Sequence, residues 1–331
     1  MANANPVQPE EFNIQNRQNS RGKDENFITG QHVSLERLRE RMKDVIPNDH
    51  MMKNIMREIP PYPTPVEFWV SDIAHVTDHT GFVGIMKYEQ FKYRKSEFSW
   101  WSLKIGEEEI RAAETRYMET NELELNVQEP FLKKFTTSPV FNLEKSRYGN
   151  YRFTFPLTDL MQSYKEQNCG GKEPVLRMYE TITFRQKIVY TVLIHSPKDN
   201  KSFGKYPLLE MSEWVRYQDG KIIWKAQAIC ETHWYQFVSG KAQSLNTHEF
   251  YVWDQVSLVF HLPKPKALKI PTERLIEALE ASKLDEIDLS RDKEERYMEA
   301  KEKVMQLKRD LKVVKKEEKD EDQEDEDEAK P

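Results

Sequence analysis

The chain has 331 residues, a formal net charge of −6 and two cysteines, Cys169 and Cys230. Two thiols with no CxxC pair argue against a disulfide scaffold and a structural zinc site, and favour a reducing, intracellular setting that leaves cytoplasm and nucleus undistinguished. Residues 317–331 hold ten acids and two lysines, a net −8 that leaves about +2 on residues 1–316, so the acidity belongs to one segment and the rest is nearly neutral.

In chain order, residues 1–30 are polar and aperiodic and are predicted to be an unstructured leader with no secretory signal. Ser34 can cap a helix carrying Leu35, Leu38, Met42 and Val45, and a short helix follows from Asp49 to Arg57. Pro60, Pro61, Pro63 and Pro65 predict a stiff extended link. At Val66 the apolar period changes to two, and Val66, Phe68, Val70, Ala74 and Val76 predict a strand. Residues 77–81 read as its turn, 82–93 as a second strand, and Phe98–Ile105 as a third. In that third strand the apolar row changes parity between Trp100 and Trp101, which predicts a bulge or burial on both faces. Residues 107–120 and Asp159–Gln167 are helix candidates, the latter closed by Cys169-Gly170-Gly171.

Residues 175–195 are strongly β, as one bent strand or two. Asp219-Gly220 between two β-rich runs predicts a type I′ hairpin, with Tyr217 opposite Ile222, Val215 opposite Trp224, Glu213 opposite Ala226 and Met211 opposite Ala228. The other face of that hairpin, with Trp214, Ile223, Ile229 and His233, is apolar enough to require a covering helix or partner. His248–Leu262 is predicted as the last strand. A helix opens at Pro271-Thr272 and runs to about Ala281. Another begins near Ser290, where Tyr297, Ala300, Val304, Leu307, Leu311 and Val314 form a heptad-like seam, the pattern of a short coiled coil.

These elements predict an α+β fold with a twisted, mainly antiparallel sheet and flanking helices. The globular body spans about 31–270, as one unit or as subdomains of about 31–145 and 146–270. A helical extension (271–316) and an unstructured acidic tail (317–331) follow.

Catalytic strings are absent. Cys169-Gly170-Gly171-Lys172 lacks the residues of a P-loop, His248-Glu249 has valine where HExxH needs histidine, and no GxGxxG or GxSxG occurs. Their absence favours a non-enzymatic interaction protein, with the body as a docking surface and the acidic tail attracting basic protein partners. The heptad seam over 290–316 is a route to a partner helix or a second copy. No cofactor or metal is implied: His75, Asp78 and His79, and the pair Cys230 and His233, each fall short of a ligand set.

A second reading is a small-molecule-binding or hydrolytic pocket in the sheet. Asp72, Glu180, Glu213 and Asp254 each interrupt an otherwise apolar strand row, and a buried carboxylate needs a partner or a raised pKa. A third is RNA binding through Lys92, Tyr93 and Arg94, although a near-neutral body argues against a large nucleic-acid footprint. With no run of roughly 18 apolar residues, no membrane span is predicted.

Overall fold

The fold is that of a computed structural model, which describes residues 13–18, 24–29, 65–92, 97–120, 144–146, 148–184, 187–226, 228–234, 247–253, 255–284 and 292–328. The predicted helices at 34–57 and the proline link lie outside those residues. The leader differs from expectation: β1 (Asn13–Gln18) and β2 (Asp24–Thr29) pair as an antiparallel hairpin, and β2 lies against β9 (Val175–Phe184). Backbone pairing there is supplied by the hairpin ladder, which needs no periodic apolar row.

The predicted strand at 66–76 divides at Ser71. β3 (Val66–Val70) buries Val66, Phe68 and Val70 and pairs with β12 (Lys221–Ala226), whereas β4 (Asp72–Thr77) enters a larger sheet. Residues 82–88, predicted as the larger part of a second strand, are helical. Asp78 is an N-cap whose Oδ1 accepts from Gly81 N at 2.7 Å, opening α1 (His79–Tyr88), which buries Phe82 and Ile85. The capping carboxylate satisfies an orphan N–H and overrides the β-rich composition. β5 (Gln90–Phe91) follows and lays Phe91 edge-on to Trp101 with ring centroids 4.8 Å apart. β6 (Phe98–Lys104) keeps a regular register against β15 (Gln255–His261), so the parity change needs no bulge. Trp101 is buried and Trp100 is 39% exposed.

The large sheet has the order β17-β8-β4-β6-β15-β10-β9, where β8 is Tyr151–Pro156, β10 is Lys187–His195 and β17 is Leu279–Ala281. Every pairing is antiparallel except β10 with β15. β4 and β6 of the first candidate subdomain sit side by side between β8 and β15 of the second, and one buried cluster runs from Val66 to Val304, so the halves share a core. One face buries Ile73, Leu103, Phe155, Val192, Leu258 and Phe260. α3 (Leu157–Asn168) contributes Tyr164, whose ring sits 5.3 Å from that of Phe260.

One predicted strand and one predicted helix need correction. His248–Leu262 is divided: β14 (Thr247–Trp253) pairs with β13 (Ala228–Trp234) as a separate hairpin, and β15 joins the large sheet. The helix after Pro271 is α5 (Thr272–Ala278), and Leu279 leaves it to become the sheet's edge strand β17. The body therefore extends past residue 270.

The type I′ turn is as predicted. Asp219 and Gly220 have φ of 49° and 75°, and β11 (Val215–Gln218) pairs with β12 in the expected register at Tyr217–Ile222 and Val215–Trp224. The ladder stops there. Met211 lies in a 3-10 turn and is exposed, and Ala228 belongs to β13, so the outer two predicted pairs do not form. α2 (Glu107–Thr120) packs on β3 beside this hairpin, where Ile223 is buried. It also closes the β3 edge: Trp69 N–H donates to Glu109 Oε1 at 2.6 Å, and Arg116 Nη2 donates to Glu67 O at 3.0 Å. A helix-borne ion pair thus occupies groups that an exposed edge would offer to another strand.

Candidate functional site

The four interrupting carboxylates are not gathered by the described structure. Asp72 begins β4 opposite Lys104 and Pro156, just beyond the end of β3 marked by the Val70–Ile222 pair. Glu213 is exposed and precedes β11, at the end marked by the Val66–Ala226 pair. The two acids therefore flank opposite ends of the three-stranded sheet. Glu180 pairs in register with Thr191, its side chain being outside the described set, as is Asp254. Lys92 is exposed with Nζ 4.6 Å from the Tyr88 ring centroid, while Tyr93 and Arg94 lie outside the described residues. His75 Nδ1 is 2.9 Å from Trp100 O, and His79 Nδ1 is 3.3 Å from Tyr151 Oη. Among the described residues no group of three or more His, Cys, Asp or Glu is placed to hold a metal.

A buried polar cluster among the described residues was not among the sequence candidates. β10 and β15 run parallel and end side by side in His195 and His261, because Ile194 is level with Phe260. Both rings pack against Phe203, at 5.0 and 4.8 Å between centroids. Arg177 Nε donates to His195 Nε2 at 3.0 Å, which leaves the ring proton on Nδ1, 2.8 Å from Ser196 O. Burial, with Arg177 beside it, holds this imidazole below the usual histidine range. The His261 ring lies between two carboxylates, with Nδ1 3.1 Å from Asp199 Oδ2 and Nε2 3.3 Å from Glu97 Oε2. Burial pushes the nearby Cys169 thiol and Tyr164 phenol up, and Tyr164 Oη donates to His261 O at 2.7 Å.

Every ring nitrogen here is engaged, and the buried thiol resists ionisation. The cluster is thus a clamp that ties 196–206 and the start of β6 to the sheet end. The available signal was two apolar runs, IVYTVLI and VSLVF, each closed by a single histidine.

The second feature is α6 (Asp292–Glu328), 37 residues long. Ala300 and Val304 are buried and Leu307 packs on the core, so the helix docks on β17, α5 and β18 (Lys283–Leu284). Tyr297 is half-buried beneath Lys283, whose Nζ is 4.9 Å from its ring centroid. Further along, Lys315 Nζ lies 2.6 Å from Glu273 Oε1 and 2.7 Å from Glu277 Oε1, contacts that raise the lysine pKa and lower that of Glu277. The front of the predicted seam is thus filled by the chain's own body, Leu311 is half-buried and Val314 is 48% exposed. The backbone continues as helix through 317–328, where the sequence predicts an unstructured run. Glu, Asp and Lys side chains do not forbid helix, and the docked front supplies its nucleus.

Residues 292–316 carry +3, and residues 317–328 carry −9 from ten acids and Lys319. None of the described helices is long and apolar enough to cross a membrane. Comparison with family models, curated proteins and solved structures finds no match to this chain.

Proposed function

We propose that this is a non-enzymatic interaction protein that presents the acidic half of α6 to a basic partner while the body anchors the front half. The observation that carries the reading is the placement of ten acids on the last turns of a helix. The helix macrodipole disfavours negative charge at that end, and six acid–acid pairs stand four residues apart between 317 and 328. At a few tenths of a kcal/mol per pair, the repulsion sums to roughly 2 kcal/mol at low salt. A partner rich in Lys or Arg relieves both terms at once, so the strain becomes a source of affinity. Front-half docking through Ala300 and Val304 gives the acidic half a fixed origin on the body.

The test is fluorescence anisotropy with a labelled lysine-rich 20-residue peptide. The full chain binds it, and binding weakens steeply as salt rises past about 0.1 M, where the screening length falls to about 10 Å. A chain lacking residues 317–331 loses that salt-dependent binding. Equal binding by the two chains contradicts the proposal.

A further inference from the structure

The face of α6 turned away from the body has its own pattern. Ala300, Val304, Leu307 and Leu311 face the body at spacings of four, three and four residues. The same spacing started at Met305 puts Arg309, Lys312 and Lys316 on the opposite side, and all four residues are exposed. Lys315, by contrast, is taken by Glu273 and Glu277 of the body. Val313 and Val314, 55% and 48% exposed, add apolar surface beside the basic stripe.

The +3 of residues 292–316 is also uneven. Residues 292–302 hold five acids and three bases, a net −2, whereas residues 303–316 hold six bases and Asp310, a net +5. With −9 on residues 317–328, one continuous helix carries three blocks of alternating sign. The basic and acidic blocks are about 21 and 18 Å long at 1.5 Å per residue, so their lengths match. A straight helix cannot fold back on itself. Its two blocks can meet only between two molecules.

We propose that the basic partner is a second copy of this chain, an inference that rests on the reading of residues 317–328 given above. The two α6 helices pair antiparallel, about a two-fold axis between Lys316 and Glu317, so that each acidic block lies along the other copy's basic block. One symmetry operation makes the favourable contact twice. That axis sets Arg309 level with Glu324, Lys312 with Glu321 and Lys316 with Glu317 of the other copy. The residues of the wrong sign meet no like charge, because Asp310 is level with Gln323 and Lys319 with Val314. A parallel pair would set acids on acids, and a longer overlap would carry them past Lys303 onto Glu302, Glu299, Glu295 and Glu294. Charge pattern thus fixes both orientation and register, as flanking charges do in coiled coils.

Sedimentation velocity on the full chain tests the pairing. At low salt the chain sediments as a dimer of twice 39.4 kDa. It returns to monomer by about 1 M salt, where the screening length is about 3 Å. The variant R309E/K312E/K316E, changed only at exposed positions, stays monomeric at low salt and still binds the lysine-rich peptide, since its acidic block is intact. Mixed one-to-one with a chain carrying E317K/E321K/E324K, it dimerises again, which a merely misfolded variant could not do. A wild-type chain that binds the peptide but remains monomeric at low salt overturns this inference and leaves the reading it rests on. Loss of both peptide binding and dimer overturns both. A dimer that persists in R309E/K312E/K316E, or a mixture that stays monomeric, also overturns the pairing.

Discussion

Between Asp292 and Lys316, helix α6 carries +3 and lays Ala300 and Val304 into the core; between Glu317 and Glu328 it carries −9 on an uninterrupted helical backbone. The front half is held by apolar burial, which salt hardly touches, and the back half by backbone hydrogen bonds working against repulsion, which salt relieves. One element is thus anchored at one end and densely charged at the other. Within the body, charge is handled the opposite way: His195, His261, Arg177 and Asp199 are drawn into close hydrogen bonds instead of being spread in water.

The strongest way to break the contrast is Val304→Asp, which puts a charge where the side chain is 6% exposed. Undocking of the front half should cost about 3 kcal/mol in urea unfolding, a buried unpaired charge being among the few changes of that size. Hydrogen exchange should then quicken at residues 300–307 while the seven-stranded sheet stays protected. Unfolding of the sheet in the same transition would show that the helix is part of the core rather than an appendage.

Thr191→Val works inside the body and with the opposite sign. Removing the unpartnered hydroxyl should stabilise the free protein by about 1 kcal/mol. A loss of stability would mean that the hydroxyl has a partner in solution.

The pH dependence separates body from helix again. His195 is held below its ordinary range by burial, so the unfolded chain binds the extra proton first. Stability should therefore be full above about pH 6.5 and decline as pH falls through it, until the folded-state histidine also protonates. His195→Gln should flatten that part of the curve. If wild type and variant have parallel pH profiles, the clamp is not what titrates.

The smallest effect belongs to Lys315→Ala. Its contacts to Glu273 and Glu277 lie at the surface, so the thermal midpoint should scarcely move. A marked drop would place part of the anchor in that ion pair.

Much of the fold was legible where local chemistry and tertiary context agree. Asp219-Gly220 demanded two positive φ values and received them, and the Phe98–Lys104 strand followed from its composition. α1 was missed because Phe82, Val83, Ile85 and Met86 suit either period, and the deciding feature was a capping bond from Asp78. The breaks at Ser71, between Trp253 and Gln255, and at Leu279 were invisible because changing sheets leaves no mark on an apolar row. The candidate carboxylates were selected by the same rows, which say nothing about strand order.

Amide hydrogen exchange across α6, with and without the lysine-rich peptide, tests the central claim most directly. Protection at residues 317–328 should rise several-fold on binding, while residues 300–307 keep the rates of the free protein. Unchanged exchange in 317–328 despite saturating peptide, or protection gained only on the body, would contradict the account.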